Sequence, residues 1–284
     1  MQHSVEDEWD MEIGAASSWY DLKLNELWQY RDLVLLFVKR DFVAAYKQTI
    51  LGPLWFLIQP IAQTLVMSLV FGGIALIPTD GSPRPLFYLS GVVCWGYFSS
   101  CLTKTANTFV YNAGVFGKVY FPRLTVPISV VISNLFAFLI QFCLFLVFMG
   151  IYHFKGVDVH LTVFAFLLPV LLLIMGLMGL AFGLIVSSLT TKYRDLALLV
   201  AFGVQLLMYA APVVYPLKIV SEKYKPFVQA NPMTAIIEAF RKGFMGTGEV
   251  TLLQLGYSSV FTLVILLFGV LIFNRIEKTF IDTV

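Results

Sequence analysis

Six long apolar runs without a single charged residue divide the chain. They cover residues 54–77, 85–103, 124–154, 159–191, 196–217 and 250–274, which is 24, 19, 31, 33, 22 and 25 residues. About 20 apolar residues in a helix cross a hydrocarbon layer roughly 30 Å thick. Each run is therefore long enough to cross once. Helices are the economical form for such runs, because in lipid every backbone amide must find its partner within the segment. The apolar–polar alternation of a membrane barrel strand is absent. The pattern predicts an all-α, polytopic membrane protein with six transmembrane helices, an amphipathic interface helix before the first span, and re-entrant helices between spans five and six.

Composition agrees. Of 284 residues, 59% are hydrophobic and 13% charged, whereas soluble domains run near half apolar and a quarter charged. Cys94, Cys101 and Cys143 fall inside the runs, where they serve as small hydrophobes, so no disulfide framework is implied. The first residues are acidic (Glu6, Asp7, Glu8, Asp10, Glu12) with no apolar run behind them. That is unlike a secretory signal, and residues 1–20 read as an acidic cytoplasmic tail.

Basic residues near the span ends set the orientation, since cytoplasmic loops carry the excess of Lys and Arg. Lys39, Arg40 and Lys47 precede the first span. Lys104, Lys118 and Arg123 separate spans two and three, Lys192 and Arg194 separate four and five, and Arg275 and Lys278 follow the sixth. The opposite side has Arg84 and Lys155 in its first two loops, with a third, longer and partly apolar loop as the exception. Both termini are expected in the cytoplasm. The domain reading is a tail at 1–20, an amphipathic interface helix at 21–50, a six-helix domain at 51–275 and a cytoplasmic tail at 276–284.

Within 21–50, Leu24, Leu27, Trp28 and Leu35 recur at helical spacing among charges, as a helix lying in the interface does. Gly52-Pro53 breaks the chain ahead of the first span. Pro60 frees a carbonyl inside that span, and Gln59 and Gln63 share one helix face, so the face should look at protein or water rather than lipid. Asn134, Gln141 and Gln205 argue similarly for spans three and five. Interhelical hydrogen bonding is the favoured account of such residues, ahead of substrate contact. No Asp, Glu, Lys or Arg lies mid-run, which disfavours a proton- or ion-coupled transporter.

Between spans two and three, Asn112-Ala113-Gly114 and Phe121-Pro122-Arg123 bracket a short apolar and basic piece, suited either to a surface helix on which a partner pushes or to a plain connector. Span five ends in Pro212, Tyr215 and Pro216, and a partly apolar loop follows. Asn231 then caps a helix opened by Pro232, with Glu238 and Arg241 able to pair at i, i+3. These apolar pieces are too short to span. They read as an outer gate or a static lid.

Catalytic signatures are missing. Gly117-Lys118 is followed by Val119, and Asn112 stands where a phosphate loop needs glycine. His3, His153 and His160 are scattered, giving no metal-ligand cluster. The chain reads as a non-enzyme that binds neither cofactor nor metal, and any energy source must be another chain.

Lys39-Arg40-Asp41-Phe42, Tyr46–Trp55 with Gly52-Pro53, Gln59-Pro60, Phe121-Pro122-Arg123, Tyr193-Arg194-Asp195, Pro212-Val213-Val214-Tyr215 and Asn231-Pro232-Met233 with Glu238-Ala239-Phe240-Arg241 stand in one order over residues 39–275. This ordered set resembles the polysaccharide-exporting ABC transporter permeases, the membrane subunits that export lipopolysaccharide O-antigen, capsule and teichoic acid. The resemblance implies a homodimer in the bacterial inner membrane, with two copies of a separate ABC ATPase that holds ATP and Mg. It implies an undecaprenyl-pyrophosphate-linked glycan as substrate and no nucleic acid. Residues Asn112, Ala113, Gly114, Val115, Phe116, Gly117 and Lys118 become the candidate ATPase-coupling segment. Arg40, Lys47 and Arg123 become candidates for the lipid pyrophosphate or the interface, and Pro212, Tyr215, Asn231, Pro232, Glu238 and Arg241 for the outer gate. A permease for a small molecule and a membrane scaffold that transports nothing remain the alternatives.

Overall fold

A computed structural model describes residues 24–47, 50–116, 119, 121–190, 193 and 195–280. The acidic tail at 1–20 and the ends of the coupling segment, Gly117 and Lys118, lie outside the described residues. Among these residues every element is helical. In chain order they are α1 (Leu24–Gln29), α2 (Arg31–Lys47), α3 (Trp55–Met67), α4 (Arg84–Ala106), α5 (Thr108–Phe116) and α6 (Thr125–Phe154). There follow α7 (Leu168–Thr190), α8 (Leu196–Ala210), α9 (Lys225–Ala230), α10 (Pro232–Met245) and α11 (Leu252–Phe280).

Five helical stretches are long and apolar enough to cross a membrane: Gly52–Ile74, Arg84–Ala106, Thr125–Phe154, Val163–Thr190 and Leu252–Ile276. The fifth run of the sequence is helical only over Leu196–Ala210. Its 15 residues rise about 22 Å, short of a full hydrocarbon layer. Pro212 and Pro216 stop it, since neither can donate to the preceding turn, and the chain bends through Ala211–Val214, which is buried. The six-run pattern thus yields five full-length stretches and one shorter apolar helix. At the carboxyl end α11 runs unbroken to Phe280, so residues 276–280 continue the last helix.

The first span changes character along its length. A 3-10 turn at Gly52–Leu54 leads into α3, and the helix then widens to a π-helical stretch over Ser68–Ile74. The Arg84 side chain lies directly across Gly72 there, where an added Cβ would meet Cδ at 2.7 Å.

Helix α7 is the hub, with α4 on one side and α11 on the other. Two of its glycines explain how closely α4 comes. A Cβ at Gly179 would meet the Cβ of Cys101 at 2.6 Å and the carbonyl of Phe98 at 2.9 Å. One turn on, a Cβ at Gly183 would collide with Thr105. Small residues at this spacing let backbones touch, which matters in lipid because no hydrophobic force drives helices together there. The same logic makes α4 the most enclosed long stretch: 78% of its apolar window is buried, against 17% for α11.

Two apolar cores result. The large one joins α4, α6, α7 and α10, with Phe142, Phe145, Phe240 and Phe244 in mutual ring contact. The small one gathers Phe37, Phe109, Phe116, Phe121 and Phe273 at the end of the bundle that carries α5. Val34, Phe37 and Val38 face inward from α2, while Leu35 and Leu36 on α2 and Trp28 on α1 face outward. The interface helix is accordingly apolar on two sides, one docked on protein and one turned to its surroundings.

Replacing Gly179 with Leu should lower the melting temperature of the detergent-solubilised chain, at an expected cost of about 1–3 kcal/mol from overpacking. Gly150→Ala on α6 has open space around it and should leave the melting temperature unchanged or slightly raised, since alanine is the better helix former.

Candidate functional site: a polar cleft and its two ends

A cleft of about 660 Å³ opens between α3, α4, α6 and α8. The sequence placed Gln59, Gln63, Asn134, Gln141 and Gln205 on faces turned from lipid, and all five line it. Helix α4 adds a stripe that the sequence reading missed: Gly96, Ser99, Ser100 and Thr103, at i, i+3, i+4 and i+7. Small and hydroxylated residues at that spacing form one polar helix face, which is the signal that could have revealed it. Aromatic walls come from Phe71, Trp95, Tyr97, Phe138 and Tyr209.

The cleft is graded. Gln59 near the start of α3, Thr103 near the end of α4 and Asn134 in α6 stand toward the α5 end. Phe71, Val92 and Tyr209 stand toward the α10 end. Hydrogen bonding satisfies only part of the polar lining. Gln63 donates to the Met208 sulfur at 3.6 Å. Asn134 donates to the Val130 carbonyl at 2.8 Å and accepts from Lys104 at 2.8 Å. Interhelical bonding therefore explains Asn134 well, and Gln63 only through a weak sulfur acceptor.

At the α10 end a buried guanidinium ties three segments together. Arg241 is 1% exposed. Its Nη1 donates to the Pro212 carbonyl at 2.6 Å and to Glu238 Oε1 at 3.2 Å. Nη2 donates to the Val213 carbonyl at 3.1 Å, and Nε to Ser90 Oγ at 3.2 Å. The plane also lies over the Phe87 ring, 3.6 Å from its centre. Glu238 takes a second donor, the Glu249 amide at 2.9 Å. Burial pushes the Glu238 carboxyl above the usual carboxylate range, and Arg241 opposes that shift.

Of the outer-gate residues read from sequence, Pro212, Glu238 and Arg241 thus meet in one cluster. Asn231 caps α10 by accepting from the Met233 amide at 3.0 Å, with Pro232 in the first turn. The Pro232 carbonyl accepts from Ser258 at 2.8 Å. Tyr215 is half-buried beside this cluster in sequence, and its hydroxyl shows no bond to it. Because Met208 and Tyr209 line the cleft just before the turn held by Arg241, the clamp fixes the position of the cleft's wall at this end.

At the α5 end, Asn112-Ala113-Gly114 lies inside a helix rather than in a turn. Asn112 spends its side chain on the fold: Nδ2 donates to the Thr108 carbonyl at 3.0 Å, and Oδ1 accepts from Arg40 Nη1 at 3.3 Å. Phe109, Asn112 and Phe116 point inward, while Val110, Tyr111 and Val115 are exposed. The three basic candidates part company. Arg40 pairs with Asp41 at 2.8 Å and packs on Phe37 at 4.7 Å. Arg123 is buried, 5.5 Å from the Phe116 ring centre. Lys47 is exposed at the end of α2. None of them lines the cleft. No group of three or more metal-ligating side chains occurs among the described residues.

Comparison with known proteins places this arrangement. Residues 32–245 match the model of the ABC-2 type transporter family. The chain is 26% identical over 252 residues to the O-antigen export system permease protein RfbA of Klebsiella pneumoniae, covering 88% of this chain and 94% of that one. A protein of the same name from Myxococcus xanthus is 30% identical over 224 residues, 78% of this chain and 83% of its own length. The polysialic acid transport protein KpsM of Escherichia coli is 24% identical over 234 residues, 82% and 89% of the two chains.

Arg241→Met should destabilise the chain by about 3–5 kcal/mol, the cost of leaving one member of a buried pair unpartnered. Deprived of its cation, Glu238 takes up a proton more readily in the folded than in the unfolded state. The variant should then gain stability as the pH falls from about 7 to about 5. Thermal unfolding in detergent at several pH values checks both, and an unchanged melting temperature would contradict the clamp.

Proposed function

The chain belongs to the ABC-2 type transporter family, and on that premise we propose that it is the membrane subunit of an ATP-driven exporter carrying a lipid-linked polysaccharide, O-antigen above all, across the bacterial inner membrane. The observation that carries the reading is the cleft. Glutamines, serines and a threonine face the cleft inside a bundle that is otherwise apolar, beside indole and phenol rings. Amides and hydroxyls suit the hydroxyl groups of a glycan, and flat rings suit its apolar faces. The names of the relatives, O-antigen export and polysialic acid transport, support the same substrate class.

A volume of about 660 Å³ is in the range of a small-molecule site, roughly 300–1,000 Å³. One chain is therefore too small to enclose a polymer. Beside the cleft, Leu65 on α3, Leu69 in the π-helical stretch after it, and Leu206 and Leu207 on α8 are exposed. A second copy packed there would extend the cleft into a shared path, with the twofold symmetry most membrane and soluble oligomers use. The exposed Val110, Tyr111 and Val115 on α5 would meet the ATPase, with both termini and α5 on the cytoplasmic side. Arg40 holds α5 to the interface helix, so a push on α5 would reach α2. The lining residues then guide the chain of sugars while the partner supplies ATP and Mg.

The cleft's size also fits export of a small molecule, and one experiment separates the two. Cells lacking the gene should lose their surface polysaccharide and accumulate the lipid-linked glycan inside; intact surface polysaccharide would overturn the proposal. The purified chain should hydrolyse no ATP unless a separate nucleotide-binding subunit is added.

A further inference from the structure

The outer part of the first span departs from the α-helix by one residue. Along its buried face Pro60, Thr64 and Met67 follow one another at steps of four and three. An α-helix would bring Phe71 onto that face next, four residues on. The π-helical stretch Ser68–Ile74 brings Gly72 there instead, five residues on, and Gly72 is buried. Two backbone bonds hold the widened register. The Ala75 amide donates to the Val70 carbonyl at 2.8 Å, and the Ile77 amide donates to the Phe71 carbonyl at 2.8 Å. Such π turns are rare and appear mostly at functional sites.

The extra residue decides where Phe71 stands. Displaced from the buried face, Phe71 lines the cleft, and its ring meets that of Tyr209 with centres 6.4 Å apart. This pair joins the first span to α8 at the α10 end of the cleft. Gly72, in turn, lies beneath the Arg84 side chain, where an added Cβ would come within 2.7 Å of Cδ. A phenylalanine fits there only if Arg84 swings aside. The register also carries strain. Leu76, just past the stretch, has a φ of 54°, a left-handed position that glycine fills without penalty and a residue with a Cβ does not. Its side chain is 69% exposed, so no burial offsets that cost. Backbone strain of this kind collects at clamps and switch regions.

We propose that the π-helical stretch is a one-residue register switch that closes and opens the α10 end of the cleft. In the π register Phe71 meets Tyr209 and the end is closed. In the α register the residues past the stretch turn by about 100° about the axis, Phe71 takes the place of Gly72, and its ring leaves Tyr209. Arg84 is the latch on the closed register. Leu76 is the strain that favours release, because it leaves the left-handed region when the extra residue is taken up. Latch and strain oppose each other, which keeps the two registers close in free energy. The switch acts on the cleft whatever passes through it, so its failure would leave the export reading untouched.

In a chain with Cys94, Cys101 and Cys143 replaced, a single cysteine in place of Gln141 reports from inside the cleft. Sealed membrane vesicles of each orientation are treated with a charged, membrane-impermeant thiol reagent. The labelling rate is measured from the α10 side and from the α5 side. Gly72→Val, which cannot sit beneath Arg84, should raise labelling from the α10 side about fivefold or more by shifting the population to the open register. Leu76→Gly, which relieves the left-handed strain, should lower it about threefold or more. Phe71→Ala should raise it and leave Gly72→Val with no further effect. Labelling from the α5 side should stay within about twofold throughout, since a register change at the far end biases only that mouth. Melting temperatures of all variants establish that they are folded. A rate from the α10 side that ignores both Gly72→Val and Leu76→Gly, or moves the same way in both, would overturn the switch. An equal rise from both sides, the mark of a loosened bundle, would overturn it as well.

Discussion

In a hydrocarbon layer a polar group without a partner costs several kcal/mol, and that single constraint organises this molecule. Backbone amides meet it by staying helical, which accounts for the all-helical architecture. Side-chain amides and hydroxyls have a choice between pairing with a neighbour and facing a cavity that can hold water or ligand. Asn134 and Arg241 take the first course. The glutamines of α3, α6 and α8 turn to the second, and a cleft exists where they converge. Folding thus follows one rule: polar residues inside the bundle either find a partner or line the cleft.

The bundle divides into a tight half and an open half. Glycines on α7 draw α4 into backbone contact, and α10 fills the remaining gap with an aromatic cluster against α6. On the other side α3 and α8 border the cleft, with many of their apolar residues exposed. The short α8, the mid-helix Pro60 and the π-helical end of the first span all lie on this side. Wide or interrupted helices are common where a helix serves a site rather than a core. The Arg241 clamp sits at the junction, anchoring the turn after α8 to the rigid half.

Much of this was readable before any coordinates. The charge-free runs identify the spanning segments because the cost of a charge in lipid has no local remedy. Asn231 before Pro232 predicts a capped helix because the capping bond is local, within two residues. The Glu238–Arg241 spacing likewise predicts a pair. What stayed hidden depends on distance in space. Arg241 also serves Pro212, Val213 and Ser90, partners far off in sequence whose approach no pattern reveals. Asn112-Ala113-Gly114 resembles a turn by composition, yet tertiary contacts through Arg40 and Thr108 hold it in a helix. The shortness of the helix in the fifth run was not legible, because hydropathy does not register how Pro212 and Pro216 end a helix. Lys104 was counted as a loop charge, and only the fold shows it reaching Asn134.

The central claim is that the cleft is a polar path through an apolar bundle, and accessibility to water tests it most directly. With Cys94, Cys101 and Cys143 replaced, single cysteines can be placed at Gln63, Gln141 and Gln205 in the cleft and at Leu65 and Leu206 on the outward faces of the same helices. A charged, membrane-impermeant thiol reagent applied to membranes opened on both sides should label the three cleft positions readily and the two outward positions hardly at all. Equal labelling of both sets, or none at the cleft positions, would contradict the account.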